Sequence, residues 1–517
     1  MKTNARYIQI LLMVFLLGLY MLVIINSAWL SDDSFISLSQ IVNLHNGDGL
    51  VFNFGERVQA FTHPTWFFLL AFITWITGNY YYTIIFTSIA ASTAAIYIIF
   101  RYAFLKNNSA AAMIGMSVLL FSKAFIDFTT SGLENPLSYL LFALIMYVLE
   151  MKNIQTTQSL MFIYITMAFL FLNRMDYALI LLPIVVHLIV RYRSENSIPI
   201  LTSAILVSAW FLFSLFYFGH IFPNAFYAKL MAGYPEGEYL QRGFQYFQVQ
   251  YGKDPITLLI IFVGIFLGIF QNGVLRASSI GIVLYLLFFL RSGGDFMQGR
   301  FFAVPAFMAT FLMVAYLTRR RVSVPVILLA AIAISGGASS SSPLFTGKEY
   351  SDRDLYFGVA DERGVVFQAS GLVSSSRSWP EIVTLKQTQP KEVGVICGGL
   401  GGAGLSRRND VYFIDYCALA DPLLSQLPAI GNRDWRIGHQ YRHVPVNYED
   451  AVLDSNVALL DSNLNDLYSD MRLVTRGRLL DKERLTAILR INFHNYYIDE
   501  TTYKSLNMLP GARKIWN

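Results

Sequence analysis

Two adjacent carboxylates, Asp32 and Asp33, stand in the run Ser31-Asp32-Asp33-Ser34-Phe35-Ile36-Ser37, directly after the first long apolar stretch of the chain. With Gln40, Ile41, Leu44 and Asn46 the run reads as the start of a short amphipathic helix lying at a membrane surface. Ser31 or Asp32 can accept hydrogen bonds from the exposed N–H groups at the start of that helix, so capping accounts for one carboxylate of the pair. It does not account for both. Two adjacent carboxylates at the lip of a membrane cavity repel one another, which raises one pKa and suits a general base or a metal ligand. Asp33 and Asp32 are therefore the candidate catalytic residues, Asp33 ahead.

The next polar stretch runs from Gly47 to Arg57 and on to Phe61-Thr62-His63-Pro64. Much of it is ordinary turn chemistry, but Glu56, Arg57 and His63 would sit beside the aspartates, where a cation can hold a phosphate. For Arg57 and His63 a plain surface role weighs equally. Further loops add Glu134 in Ser131-Gly132-Leu133-Glu134-Asn135-Pro136, Arg174 and Asp176 in Asn173-Arg174-Met175-Asp176, and Lys229 after Phe222-Pro223-Asn224. Asp295 and Arg300 follow in Gly293-Gly294-Asp295-Phe296-Met297-Gln298-Gly299-Arg300. Arg291 reads as an interface anchor. The pairs Arg174/Asp176 and Asp295/Arg300 read differently, because ionisable groups at membrane depth face a partner or a cavity, and arginine grips phosphate through two parallel charge-assisted bonds. No Walker loop, GxSxG or HExxH is present. The glycine-rich Gly398 to Gly404 follows a strand-like run but no helix pattern follows it, which argues against a dinucleotide site.

Membrane helices must position these residues. Of 517 residues 55% are hydrophobic and 14% charged, where soluble domains carry roughly a quarter charged. Apolar stretches predict about eleven transmembrane helices, near 7–29, 81–104, 110–126, 133–150, 158–172, 176–190, 198–218, 256–271, 277–290, 300–318 and 322–337. With Pro64 to Gly78 laid along the interface, Lys2/Arg6, Arg101/Lys106, Lys152, Arg191/Arg193, Arg276 and Arg319/Arg320/Arg321 fall on one side, the cytoplasm. Every motif-bearing loop then lies outside. The expectation is a polytopic α-helical membrane domain over 1–337 with an outer loop at 30–80, and a soluble extracytoplasmic α/β domain over 338–517. Strand-like runs at Val393 to Ile396 and Val411 to Ile414 each precede a cysteine, Cys397 and Cys417, which can pair if the strands are neighbours. The net charge of +5 sits largely in short loops and no RNA-binding motif appears, so no nucleic-acid partner is expected.

Laid out in this order, the blocks resemble the C-type (GT-C) integral-membrane glycosyltransferases, and within them the arabinofuranosyltransferase B group of the mycobacterial cell wall and the pilin arabinosyltransferases. The resemblance rests on Asp32-Asp33-Ser34-Phe35-Ile36, Gly49-Leu50-Val51-Phe52-Asn53 with Gly55-Glu56-Arg57-Val58, Thr130 to Glu134, Phe222-Pro223-Asn224 with Tyr227-Ala228-Lys229, and Gly293 to Met297 with Gly299-Arg300-Phe301. It continues through Leu419 to Leu424 and Trp435-Arg436-Ile437-Gly438-His439. It implies a GT-C-like fold in a bacterial inner (plasma) membrane, a polyprenyl-phosphate arabinofuranose donor, an extracytoplasmic reaction, and a catalytic aspartate at Asp32 or Asp33. It also lends weight to Trp435 and His439 as substrate-orienting residues. The chain departs from the group in carrying Arg174-Met175-Asp176 where an Arg-Pro-Glu or Arg-Pro-Asp run is familiar, and in its short C-terminal part.

On this reading Asp33 or Asp32 deprotonates the acceptor hydroxyl, and Arg174 and Arg300 hold the donor phosphate with Lys229, Arg57 and His63 as further candidates. Glu134, Asp176 and Asp295 orient these groups or the sugar. The acceptor is an envelope glycan or a pilin. Asp32, Asp33 and Asp295 could converge on a divalent cation, though no compact ligand spacing requires one. The competing class is a transporter or flippase of lipid-linked sugar, which would show related halves and charged or broken helices at the bilayer midplane; neither is visible. A third is a non-catalytic envelope assembly protein, in which both aspartates could be replaced silently.

Overall fold

The computed structural model describes residues 2–151, 156–320, 342–346, 354–378, 386–406, 410–430, 435–493 and 496. Helices α1 (Lys2–Ser27), α2 (Asp32–His45), α3 (Pro64–Thr77), α4 (Tyr80–Leu105), α5 (Ser109–Phe121), α6 (Lys123–Asp127), α7 (Asn135–Met151) and α8 (Thr157–Asn173) come first. They are followed by α9 (Ala178–Tyr192), α10 (Ser197–Phe218), α11 (Asn224–Leu230), α12 (Glu236–Lys253), α13 (Pro255–Ile269), α14 (Val274–Ser292) and α15 (Arg300–Arg320).

Among the described residues six helices are long and apolar enough to cross a membrane, or seven if the bent pair α12 and α13 forms one span. Four more apolar helices, α3, α5, α7 and α8, are shorter. Length and hydropathy therefore support fewer spans than the eleven expected, and the expected span at 322–337 lies outside the described residues. The 110–126 stretch is not continuous. Ser122 leaves the helical conformation and its hydroxyl caps a new short helix by accepting from the Phe125 N–H. The 107° bend between α12 and α13 has a similar cause: Asp254 caps α13 through the Thr257 N–H, and Pro255 at the first helical position fixes the new direction.

The most buried span is α15, 89% inside the protein, whereas α10 is only 11% buried and offers Leu201, Ile205 and Leu212 outward. An all-round apolar helix with so little protein against it is solvated by lipid. Close packing at the centre depends on Gly264 of α13, where an added Cβ would stand 2.5 Å from the Ala309 carbonyl oxygen of α15.

The C-terminal residues fold against the outer loop. Strands β1 (Leu355–Tyr356) and β2 (Val359–Ala360) form a small hairpin, followed by α16 (Glu362–Ser370). Strands β3 (Glu392–Ile396) and β4 (Val411–Asp415) pair in parallel around α17 (Leu400–Ser406), as the strand-like runs predict. Cys397 and Cys417, just beyond the ends of these neighbouring strands, form a disulfide with Cα atoms 5.2 Å apart. The outer loop is sewn to this unit: the Asn53 side chain exchanges two hydrogen bonds with the Phe413 backbone at 2.9 and 3.0 Å, and Tyr412 donates to Glu56 at 2.7 Å. Ile36, Phe52 and Ala60 share one apolar cluster with Leu400, Ala403 and Phe413. Two last helices, α18 (Ser462–Arg476) and α19 (Lys482–Phe493), reach back to the membrane part, where buried Arg484 donates to the otherwise orphaned Phe216 and Tyr217 carbonyls at the end of α10.

Candidate active site

Four pieces of chain meet at one point: the start of α2, the 131–134 turn, the end of α8, and the start of α15. The Ser31 N–H donates to the Ser131 carbonyl at 2.9 Å, and the Trp66 indole holds the Gly132 carbonyl at 2.9 Å, so the turn presses on the first turn of α2. Gly132 has φ +79°, and a Cβ there would strike Ser34 at 2.7 Å, which makes this glycine obligatory.

At the junction Arg300 stands among three carboxylates: Asp33 at 3.3 Å, Asp295 at 3.4 Å and Glu134 at 3.6 Å. Its Nε is buried without a hydrogen-bond partner among the described residues. Glu134 also takes Arg174 at 3.1 Å and lies 3.5 Å from His63 Nδ1. Arg174 is fully engaged, since its Nε and Nη2 grip Asp176 while Nη1 holds Glu134, and its guanidinium lies over the Phe301 ring at 4.2 Å. The second Asp295 oxygen accepts the Phe296 N–H at 2.8 Å, which sets the glycine-rich turn ahead of α15. His63 bonds Ser37 Oγ at 3.1 Å, and burial lowers its pKa to about 4, leaving it neutral.

The two neighbouring aspartates have different tasks. Ser31, not Asp32, caps α2. The Asp32 carboxylate reaches away and accepts the Gly401 N–H at 3.1 Å and the Gly402 N–H at 2.9 Å, at the start of α17. A helix does therefore follow the glycine-rich Gly398–Gly399 turn, contrary to the sequence expectation, and the anion at its start is the protein's own. Burial pushes Asp32 up to about 6 against the pull of those two amides. Asp33 is raised above the usual carboxylate range by burial, with Arg300 and Lys229 opposing and Asp295 and Glu134 assisting.

Two cavities flank the junction. The first, about 390 Å³, is lined by Arg174, Arg300 and Lys229 together with Glu134, Asp176 and Asp295, and by the rings of Phe222, Phe226, Phe288 and Phe301. Lys229 Nζ has no hydrogen bond or ion pair among the described residues, though its charge is felt by Asp33 and His439. The second, about 370 Å³, is lined by Asp32, Asp33, Glu362, Asp415, Arg436 and His439, with Phe296 and Leu400 as apolar wall. Asp33 faces the second cavity while touching Arg300 of the first.

The structure thus gathers Asp33, Glu134, Arg174, Asp176, Lys229, Asp295 and Arg300, and places Asp32 and His439 on the second cavity. Arg57 stands elsewhere: it donates to the Val474 and Gly477 carbonyls and lies beside Tyr217, lining neither cavity. Trp435 lines neither as well. Its ring stacks on Tyr234 at 4.2 Å and its indole N–H donates to Glu238 at 2.8 Å, an anchor for the turn that presents Arg436 and His439. No group of three or more His, Cys, Asp or Glu side chains able to hold a metal ion occurs among the described residues, and Asp32, bound to amides, does not converge with Asp33 and Asp295. Sequence reading missed Glu362 and Asp415, and marked Arg436 only as part of the Trp435 to His439 run. Asp415 had a signal, for ligands gather at the carboxyl ends of parallel strands, whereas Glu362 had none.

No family model matches the chain. Among curated proteins it is 27% identical over 319 residues to the terminal beta-(1->2)-arabinofuranosyltransferase of Mycobacterium tuberculosis (strain ATCC 25618 / H37Rv), covering 54% of this chain and 51% of that protein. The chain thus spans about half the length of the curated relative it matches. Among solved structures, ArnT from Cupriavidus metallidurans bound to undecaprenyl phosphate overlaps 78% of this chain and 85% of that one, with TM-score 0.46 and 12% identity, too loose a likeness to carry an argument. The resemblance read from the motif blocks is borne out by the curated relative.

Proposed function

We propose that this chain is a multi-pass membrane glycosyltransferase that moves a sugar, arabinofuranose foremost, from a polyprenyl-phosphate donor to an acceptor hydroxyl on a glycan or pilin, with Asp33 as general base. One observation carries the reading: Asp33 lines one cavity and pairs with Arg300 of another, in which the Lys229 ammonium stands among aromatic rings. The sugar phosphate would occupy the first, its phosphate on Lys229 and Arg300 and its prenyl chain leaving past Phe222, Phe226 and Phe288. Each buried CH₂ of such a chain stabilises binding by about 0.8 kcal/mol. The acceptor would enter the second. Its hydroxyl gives its proton to Asp33 as the oxygen bonds to the anomeric carbon; the bond from that carbon to the phosphate oxygen breaks, and polyprenyl phosphate leaves against the cations.

The positive-inside pattern of the loops would put this junction and the C-terminal domain outside a bacterial inner membrane. The test is transfer in detergent from synthetic polyprenyl-phosphoryl arabinofuranose to arabinoside and peptide acceptors. Turnover by the wild type that Asp33→Asn loses while still binding the donor supports the reading. A wild type that binds the lipid and glycosylates none of the acceptors moves the flippase class ahead.

A further inference from the structure

The second cavity holds a carboxylate for which the reaction above has no use. Glu362 begins α16, and both of its neighbours are pinned. Asp361 caps the helix through the Gly364 N–H at 3.1 Å and pairs with Lys123 at 2.9 Å. Arg363, fully buried, donates to the Ser27 carbonyl at 3.1 Å and lies over Phe367. Just before them Ala360 is stitched to the glycine-rich turn, its N–H on the Phe296 carbonyl at 2.7 Å and its carbonyl on the Gln298 N–H at 2.9 Å. The backbone on either side of Glu362 is thus fixed to the membrane helices and to the Arg300 turn. Its own side chain lines the cavity and makes no hydrogen bond or ion pair among the described residues. A rigidly mounted carboxyl group with no internal partner, facing a cavity beside the base, is placed for a ligand.

We infer that Glu362 is an acceptor-binding residue, holding a hydroxyl of a glycan end in the second cavity so that a neighbouring hydroxyl faces Asp33; this rests on the transferase reading above. The remaining lining suits a sugar. Arg436 and His439 supply polar edges, while Phe296 and Leu400 supply apolar wall for C–H faces. A ring of hydroxyls needs donors as well as acceptors. Burial and the nearby Asp33 and Asp32, against Arg436, push Glu362 up to about 8, so near neutral pH it carries a proton to donate. The charged groups facing it are Asp33 and Asp32 from α2, Asp295 from the glycine-rich turn, and Arg436 from the 436–439 turn. Asp415 and His439 line the same cavity. Asp32 and Asp415 titrate near 6 and His439 near 3, all below the Glu362 window.

The experiment measures acceptor and donor KM for wild type, Glu362→Ala and Glu362→Gln, with synthetic polyprenyl-phosphoryl arabinofuranose and octyl arabinofuranoside. Glu362→Ala should raise acceptor KM about tenfold, the loss of one hydrogen bond of ordinary strength, with donor KM moving less than twofold. Wild-type acceptor KM should climb as pH rises through about 8, where the proton is lost. Glu362→Gln, a permanent donor, should keep the neutral-pH value and abolish that climb. An unchanged acceptor KM in Glu362→Ala, or loss of all turnover in Glu362→Gln, overturns the assignment while leaving the transferase reading standing. A wild type that transfers to no acceptor overturns both.

Discussion

Replacing each of the two adjacent aspartates by asparagine should produce opposite defects. In Asp32→Asn the side chain keeps one acceptor oxygen for the two amides of Gly401 and Gly402 and turns an NH₂ toward the other. One charge-assisted bond is lost and one N–H is left unsatisfied, at a cost of about 1–3 kcal/mol. The loss falls on the docking of α17 against α2, so it should lower the thermal midpoint in detergent, and activity should fall only as far as the folded fraction does. Asp33→Asn removes the proposed proton acceptor, and kcat should drop about 10²–10⁴-fold. Its stability should hold, because Arg300 retains Asp295 and Glu134 and no backbone amide among the described residues depends on the carboxylate removed. A pH series sharpens the contrast. A folded-state pKa raised from 3.8 to about 6 means that the native chain binds the Asp32 proton more tightly than the unfolded chain does. The wild type therefore gains stability from this group as pH falls from about 6 to about 4, and loses it again as pH rises. Asp32→Asn should lack that gain. An Asp32→Asn variant that is fully stable yet inactive, beside an active Asp33→Asn, would refute the division of labour.

Lys229→Ala should raise donor KM about tenfold or more with little change in melting, since the ammonium makes no hydrogen bond or ion pair among the described residues; equal donor KM in the two proteins would remove it from the phosphate site. Glu134→Gln leaves Arg174 and Arg300 short of a buried counter-charge and should destabilise by about 3 kcal/mol, read as a lower thermal midpoint together with reduced kcat. Cys397→Ser with Cys417→Ser opens a loop of sequence separation 20 and should cost about 3 kcal/mol. The wild type plus reductant should melt like the double variant, and identical melting with and without reductant would show the bond to be dispensable.

The sequence was most informative where local chemistry decides the outcome. Apolar runs gave the helix positions, and the strand-like runs around Cys397 and Cys417 gave the neighbouring strands. Arg174, Asp176, Asp295 and Arg300 were marked by one argument, that charges at membrane depth need partners, and Asp33 by another, that capping explains only one of two adjacent carboxylates; with Glu134 they pair at one junction. Two candidates read on other grounds, Arg57 from its place in the outer loop and Trp435 from the family resemblance, are satisfied elsewhere. Arg57 found backbone carbonyls near α18, and Trp435 found Glu238. The partner of Asp32 comes from Gly401 and Gly402, far along the chain, and nothing local announces it. Glu362 was invisible because an acidic residue in a soluble-looking segment is unremarkable until the fold turns it toward a cavity.

The ion pairs at the junction suggest how proton transfer and phosphate departure are linked in the proposed reaction. Arg174 has spent its fork on Asp176 and Glu134 and has little left for a ligand. Arg300 is different, because one of its carboxylates is Asp33 itself. When Asp33 takes the acceptor proton it ceases to be an anion, and the charge of Arg300 that it was compensating becomes available at the moment when negative charge grows on the leaving phosphate. The stabilisation is then realised in the transition state more than in the bound donor. Arg300→Lys keeps one positive charge but loses the geometry that touches Asp33, Asp295 and Glu134 together. It should lower kcat about 10²-fold, the size of one lost transition-state contact, with donor KM changed only a few-fold. If donor KM rises steeply while kcat stays put, Arg300 is a plain phosphate anchor and its pairing with Asp33 has no part in the chemistry.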